Sequence, residues 1–347
     1  GWRALAEVRP LSGPYLLRRL LQTVPVVLGV TLLVFTLIHL TPGDPVEAMM
    51  AGQGSVTQEQ MDQLRRELGL DLPLWRQYLR FLAGLARGDL GHSFYYRGAP
   101  VGRLIADRLP ATIELTVAAM VISVVIALPA GVLAAVRRNR LADRVGSVGA
   151  MLGVSFPDFW LGLVLILLFS VSLGWLPIAG RITYGMEPPP VTGLYLVDSL
   201  LAGDWAAFGD ALRHLVLPAV TLGTAMAALT MRITRSSMLE VIRQEYITYA
   251  RAKGLSEWAV VVRHGLRNAL IPTVTVVSLN AGTLLGGNMI VETIFGWPGL
   301  GRLVVDSIYV RDYPVVQAAV FIYALTYILM NLVADWLYTW LNPRVTL

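Results

Sequence analysis

Few side chains here have the type and spacing to do chemistry, and most of those fall in or beside long apolar runs. Asp158 follows Pro157 inside one such run, Glu114 and Glu292 sit at the edges of two others, and Asp335 lies near the end of the last. A proton-driven carrier or an intramembrane enzyme needs ionisable groups at depth, where they are costly unless paired or working. Asp158 alone meets that position. Two readings of it stand: a path-lining or coupling group, or a side chain that bonds backbone freed by Pro157 or pairs with a neighbouring subunit. Thr273, Asn280 and Thr283 fall near one face of a later apolar run, where a polar stripe faces a water-filled path or the bundle interior.

The usual catalytic constellations are missing. His39, His92, His214 and His264 lie in four separate regions without metal spacing. There is no cysteine, which excludes disulfides and thiolate metal sites. Ser155 and the other hydroxyls have no sequence-local base. No G-x-x-x-x-G-K-[ST] loop occurs, so if nucleotide energy drives the protein, another chain must bind the nucleotide. Gly282 and Gly286 form a G-x-x-x-G pair, with Gly287 adjacent, which fits close packing within one subunit or between two.

The sharpest signal is a basic stretch, 239–268, between two apolar runs. Seven basic residues lie across 232–268: Arg232, Arg235, Arg243, Arg251, Lys253, Arg263 and Arg267. Tyr249, Ala250, Arg251, Ala252 and Lys253 read as a short helix ending in a bend at Gly254. Leu255, Ser256, Glu257 and Trp258 restart it, with Ser256 as N-cap. Small residues at the centre let such a helix lie close against a partner's groove. An idle amphipathic helix on anionic lipid accounts for the arginines but not for the small residues.

These residues need a membrane scaffold to position them. Hydrophobic residues make up 55% of the chain and charged ones only 15%, against roughly 25% charged in soluble domains, and mean hydropathy is +0.61. Six runs approach or exceed the ~20 residues that cross hydrocarbon. They cover about 20–40, 110–136, 145–173, 215–238, 269–291 and 315–341, so the expected fold is an all-α polytopic membrane protein with six transmembrane helices. The first run reads as a span rather than a cleaved signal, since no small-residue cleavage site follows HLTPGDP. No internal repeat of the kind common in secondary transporters is visible.

Arginine placement orients the spans. The tail 1–19 carries four, the turn 137–144 four, and the stretch 232–268 six with Lys253 as a seventh basic residue, whereas 174–213 and 296–314 carry two each. Positive loops stay inside, which places both termini and the 239–268 loop in the cytoplasm. The net charge of +5 resides in these loops, a pattern of membrane topology rather than of nucleic-acid binding. The long segment 41–109 holds eight arginines, but long loops escape the rule. Within it, Thr57 and Gln60 form a capping box opening EQMDQLRREL, which stops at Gly69. LWRQYLRFLAGLARG follows Pro73, with Leu74, Tyr78, Leu82 and Leu85 on one face, as a helix at the interface or against the spans. The insertion 180–213, with Pro188, Pro189 and Pro190, reads as a loop with little regular structure.

Segments along nearly the whole chain beyond Tyr15 resemble the permease subunits of ATP-binding-cassette importers in the dipeptide, oligopeptide and nickel group, with the dipeptide subgroup nearest. They include HLTPGDP (39–45), GDLGHS (88–93), RLPATIELT (108–116), HLVLPAVTLG (214–223), RITRSSMLEVIRQEYITYARAKGLS (232–256), RHGLRNALIP (263–272), ETIFGWPGLGRLVVDSI (292–308) and RDYPVVQ (311–317). The resemblance implies a type I importer transmembrane core over 110–347, behind a first helix at 20–40 and a periplasmic segment at 41–109. It implies a second homologous permease subunit, two ATPase subunits holding ATP and Mg, an extracytoplasmic binding protein, and no cofactor on this chain. It assigns ATPase coupling to Tyr249 through Glu257, and permits a translocation path past Asp158, Thr273, Asn280 and Thr283. The broader class has Glu-Ala-Ala before the loop glycine; here Thr248, Tyr249 and Ala250 occupy those places. The 180–213 insertion is similar to that of the dipeptide subgroup and favours short peptides. A stand-alone carrier would need more carboxylates at mid-membrane than Asp158, and an intramembrane hydrolase lacks a catalytic pair.

Overall fold

The computed structural model describes residues 13–41, 43–50, 57–96, 98–286 and 288–341. The expected basic tail at Arg3 and Arg9 and the terminal Asn342-Pro343-Arg344 lie outside the described residues, as does Gly287. The described residues form helices and one isolated bridge, between His92 and Pro100.

The chain opens with α1 (Gly13–Leu40) and the short α2 (Pro45–Met50), then α3 (Gln58–Leu68) and α4 (Leu74–Ala86). Two long helices follow, α5 (Val101–Val136) and, after α6 (Leu141–Ser155), α7 (Asp158–Leu165) and α8 (Tyr195–Ala202), the helix α9 (Trp205–Val241). The remainder comprises α10 (Glu245–Ala252), α11 (Arg267–Leu285), α12 (Met289–Ile294), α13 (Leu300–Tyr309) and α14 (Tyr313–Leu341). Among the described residues five helices are long and apolar enough to cross a membrane, and the pair α6–α7 supplies a sixth if its two parts count as one span.

α9 is the central helix. Its most apolar window is 72% buried, against 11% for α1. α5 packs along it, and α6, α7 and α11 surround it; α14 packs on α11, and α1 on α14. Small residues let α5 and α9 approach closely. A Cβ on Gly223 of α9 would meet the Ala119 carbonyl oxygen of α5 at 2.8 Å, and one on Gly131 of α5 would meet the Met231 carbonyl oxygen of α9 at 2.9 Å. Ala119, Ala127, Ala134 and Ala227 fill the rest of the seam. In a bilayer, where lipid tails are as apolar as leucine, such close contact is what holds helices together. Gly282 performs the same task within this chain: a Cβ there would touch Tyr327 and Met330 of α14 at 3.2 Å.

Three sequence expectations change. The third apolar run is broken: Leu141–Gly153 and Asp158–Ser172 meet at 101°. Phe156 takes an extended conformation (φ −93°, ψ 132°) because the residue before a proline is pushed out of the helical region, and Pro157 can donate no helical hydrogen bond. The second helix begins at Val101 rather than Pro110. Its extra turns are covered by protein, with Val101 and Ile105 packed among Leu300, Leu303, Val304 and Val315. The insertion 180–213 is irregular only over its proline-rich first half. It then forms α8, ended by Gly203 at φ +68°, and enters α9 through Asp204, whose carboxylate accepts from Ala206 N and Ala207 N at 3.0 and 2.9 Å.

The capping box at Thr57 is present, with Thr57 N donating to Gln60 Oε1 at 3.0 Å and Gln60 N to Thr57 Oγ1 at 3.4 Å. α4 packs on α1, as its apolar face requires: Tyr78 Oη donates to the Leu28 carbonyl at 3.1 Å and its ring lies 5.2 Å from that of Phe35.

Candidate functional site

The basic stretch forms a short helix pinned on one side and bare on the other. Gln244, in an extended conformation, breaks the chain between α9 and α10. On the inner side Ile247 and Ala250 are buried against Val260, with Val241 beside them. Asn268 Nδ2 donates to Tyr246 Oη at 2.7 Å, tying α10 to the start of α11. α10 stops where Gly254 adopts φ +76°, a left-handed conformation that a side chain disfavours. Gly254 N donates to Arg251 O at 2.9 Å. Ser256 then restarts the helix, its Oγ accepting from Ala259 N at 3.4 Å. A π-helical segment, Ala259–Leu266, leads into α11. The bend at Gly254 and the restart at Ser256 are those read from the sequence.

The outer side carries apolar and charged groups together. Tyr249 is 63% exposed, Trp258 76% and Leu255 42%. Lys253 Nζ lies 4.6 Å from the Tyr249 ring centroid. Arg251 bridges the bend to Glu257, with Nη2 donating to Oε1 at 2.7 Å. That hydrogen bond from the guanidinium holds the Glu257 carboxyl below the ordinary glutamate range. Of the nine residues from Tyr249 to Glu257, Ala250 faces inward and the others are exposed.

Beside this surface a second anchor went unread in the sequence. Arg235 of α9 donates from Nε and Nη2 to Asp143 at 2.6 and 2.9 Å, and Asn139 N donates to the same carboxylate at 2.9 Å. The turn 137–140 is thereby fixed to α9 just above α10.

The residues read as a path do not converge. Thr273 is buried between helices, its Oγ1 3.1 Å from that of Thr234 on α9. Asn280 is half-buried, and Thr283 is exposed with its hydroxyl turned back to Leu279 O at 3.3 Å. Asp158 stands apart in the first turn of α7, half-buried, with no side-chain cap bond at that helix start. A helix N-terminus favours a carboxylate there. α7 packs on α9 and α12.

On the face carrying the insertions, three carboxyl groups organise motifs that the sequence displayed without explaining. Glu114 receives Arg181 Nε and Nη2 at 2.9 and 2.7 Å and Leu196 N at 2.8 Å. Arg181 also stacks 3.8 Å over the Tyr195 ring. Glu292 accepts from Thr112 Oγ1 at 2.9 Å and Arg302 N at 3.0 Å, while Thr112 Oγ1 accepts from Leu300 N at 2.8 Å. The two side chains thus cap the N-terminus of α13, which has none of its own. Gly299 is required: a Cβ there would meet the Glu292 carboxyl at 2.5 Å. Asp312 accepts from Ser93 Oγ and from Phe94 N at 3.0 Å, joining the loop at Ser93 and Phe94 to the residue just before α14. Each pairing spans a large sequence separation, which periodicity cannot reveal.

The sequence profile of the binding-protein-dependent transport system inner membrane component matches residues 127–347, and the N-terminal profile of such membrane components matches residues 14–116. The chain belongs to that family. This permease is 46% identical over 334 residues to the dipeptide transport system permease protein DppB of Escherichia coli K12, covering 95% of this chain and 98% of that one. It is 48% identical to the di/tripeptide transport system permease protein DppB of Pseudomonas aeruginosa UCBPP-PA14, at the same coverage. The glutathione transport system permease protein GsiC of Escherichia coli K12 is 43% identical over 331 residues, again at 95% and 98%. The permease is therefore a multi-pass inner-membrane component of an importer that works with other subunits.

Proposed function

We propose that this chain is the permease subunit of an ATP-driven, binding-protein-dependent importer of dipeptides or other short peptides. The observation that carries the reading is the surface around Gly254. Its inner side is locked by Ile247 and Ala250, while Tyr249, Leu255 and Trp258 stand exposed as an apolar anchor set rimmed by charge. That is the composition of a protein-docking patch rather than of a solvated loop. Its placement between α9 and α11 links any force on the patch to two membrane helices.

In this reading the loop, both termini and the turn at 137–140 face the cytoplasm, as the arginine distribution requires. Two ATPase subunits, holding ATP and Mg, grip the patch on this chain and its equivalent on a second, homologous permease. A binding protein delivers peptide on the opposite face. Nucleotide turnover alternates access to a path between the two permeases. This chain makes and breaks no covalent bond and holds no nucleotide or cofactor. The substrate class rests on the relatives, whose names specify dipeptides, di- and tripeptides and glutathione.

The test is ATP hydrolysis by the reconstituted complex in response to binding protein loaded with a dipeptide. Stimulation by Ala-Ala, lost in Gly254→Arg while the subunits still assemble, is the expected result. Undiminished stimulation in that variant, or failure to retain any ATPase during purification, overturns the reading.

A further inference from the structure

A cavity of about 430 Å³ lies on the insertion face between α1, α3, α4, residues 89–94 with Gly98, and the first turns of α14. Its size is within the ~300–1,000 Å³ of small-ligand pockets. The floor presents two buried polar side chains one helical turn apart on α14, Tyr313 and Gln317, each 8% exposed. Neither the Tyr313 hydroxyl nor the Gln317 amide has a hydrogen-bond partner among the described residues. Neither group is among the fully enclosed polar atoms that lack a partner, so the Tyr313 hydroxyl and the Gln317 amide stay accessible, and water or a bound ligand can supply their hydrogen bonds.

The rim supplies charge of both signs. The Arg80 guanidinium rests over Gly69, where a Cβ would meet Nη1 at 2.5 Å, and it has no ion pair among the described residues. Glu67 and Asp89 line the same opening; each uses one oxygen internally, towards Gln63 Nε2 at 3.0 Å and Gly91 N at 2.8 Å. His92 lies on the same opening, as do His39 and Gln77, which contact each other at 3.3 Å. A guanidinium and two carboxylates on one opening are complementary to a ligand that carries both signs of charge.

We propose that this cavity binds a small zwitterion, with its carboxylate on Arg80, its ammonium towards Glu67 and Asp89, and an uncharged polar group on Gln317 and Tyr313. A free amino acid and a short peptide share that chemistry. The site is distinct from any path along α11, because none of its walls comes from that helix. That such ligands arrive at this face rests on the peptide-importer reading.

The experiment uses the purified complex with its partner subunits. Tritiated Ala-Ala and, in a parallel arm, tritiated glutamine are measured by equilibrium dialysis, and a dipeptide bearing a diazirine side chain maps the contact by mass spectrometry. The expected result is saturable binding with photolabel at Phe81, Phe94 or Tyr313, reduced at least tenfold by Gln317→Leu and by the exposed-site variant Arg80→Met. Binding of Ala-Ala alone identifies a peptide site, and binding of both ligands a general zwitterion site. Label found only elsewhere, or unchanged in Arg80→Met, overturns the proposal, as does the absence of binding in both arms. Peptide-stimulated ATP hydrolysis is read on the same samples; its absence overturns the importer reading while label in this cavity still sustains the site.

Discussion

Arg251 and Glu257 face each other across the Gly254 turn, with guanidinium Nε and Nη2 donating to carboxylate Oε2 and Oε1 at 3.1 and 2.7 Å. The pair fastens the end of α10 to the helical segment that follows. Both side chains are exposed, so the pair fixes an angle more than it adds stability.

Removing either partner should therefore leave the fold intact and weaken communication. Arg251→Ala and Glu257→Ala are each expected to unfold at the wild-type temperature within a few degrees, by differential scanning fluorimetry, and to lower peptide-stimulated ATP hydrolysis severalfold. The double variant should match the singles, since one interaction is lost in each. The folded glutamate titrates below its ordinary ~4.3, so its contribution is present above that value and lost as pH falls through the lowered one. No step in coupling from this pair is expected between pH 6 and 8, a window about two units above the ordinary value.

Gly254 has open space around it, with nothing within 4 Å of a Cβ built there. Substitution then acts through the backbone alone. Gly254→Val should cost about 1–3 kcal/mol locally, whereas Gly254→Asn, which tolerates the left-handed region, should cost less. Coupling measured across Gly, Asn, Ala and Val should fall in that order. A loss that tracks side-chain size instead would point to a steric clash with a partner.

The Glu114–Arg181 pair is buried, with side chains 6% and 7% exposed. Arg181→Met leaves a carboxyl group without its partner and should destabilise by about 3–5 kcal/mol. Adding Glu114→Leu removes the stranded group, so the double variant should melt above Arg181→Met. The thermal melts of the three proteins decide this directly.

Asp198 holds the loop before α8 by accepting from Thr192 Oγ1 and N and from Gly193 N at 2.7, 2.8 and 2.9 Å. Burial opposes its charge, but these hydrogen bonds together outweigh burial and lower its pKa. The stabilisation is therefore present above the ordinary aspartate value of ~3.9 and lost as pH falls through the lowered one. Asp198→Asn should reproduce the acid state at neutral pH, seen as faster amide exchange at Thr192 and Gly193.

The membrane class, the placement of most spans and the bent helix around Gly254 were legible in the sequence because they depend on local pattern. Apolar length, arginine density and a glycine flanked by helix formers need no distant partner. The break at Phe156 had a local signal in Pro157, but the unbroken apolar composition on both sides masked it. α8 was hidden by the prolines before it, although Asp198 and Gly203 are its visible punctuation. The polar residues of α11 share a helical face on paper, yet Thr273 is taken up by Thr234 of α9. Such tertiary pairings, like Glu292 with Thr112 and Asp312 with Ser93, follow from how helices cross rather than from spacing along one of them. The cavity floor formed by Tyr313 and Gln317 is of the same kind.

α9 runs without interruption from the Asp204 cap beside α8 to Val241 at the threshold of α10. At 1.5 Å per residue its 37 residues make a rod about 55 Å long, well beyond the ~30 Å of hydrocarbon. Turned by ten degrees about its midpoint, such a rod carries its two tips in opposite directions by about 5 Å each. The proline-rich insertion rides on one tip and the Gly254 surface on the other. In the proposed importer, a see-saw of this length would let a modest tug at one tip be felt at the other, with Pro218 the one interior position in it that donates no helical hydrogen bond.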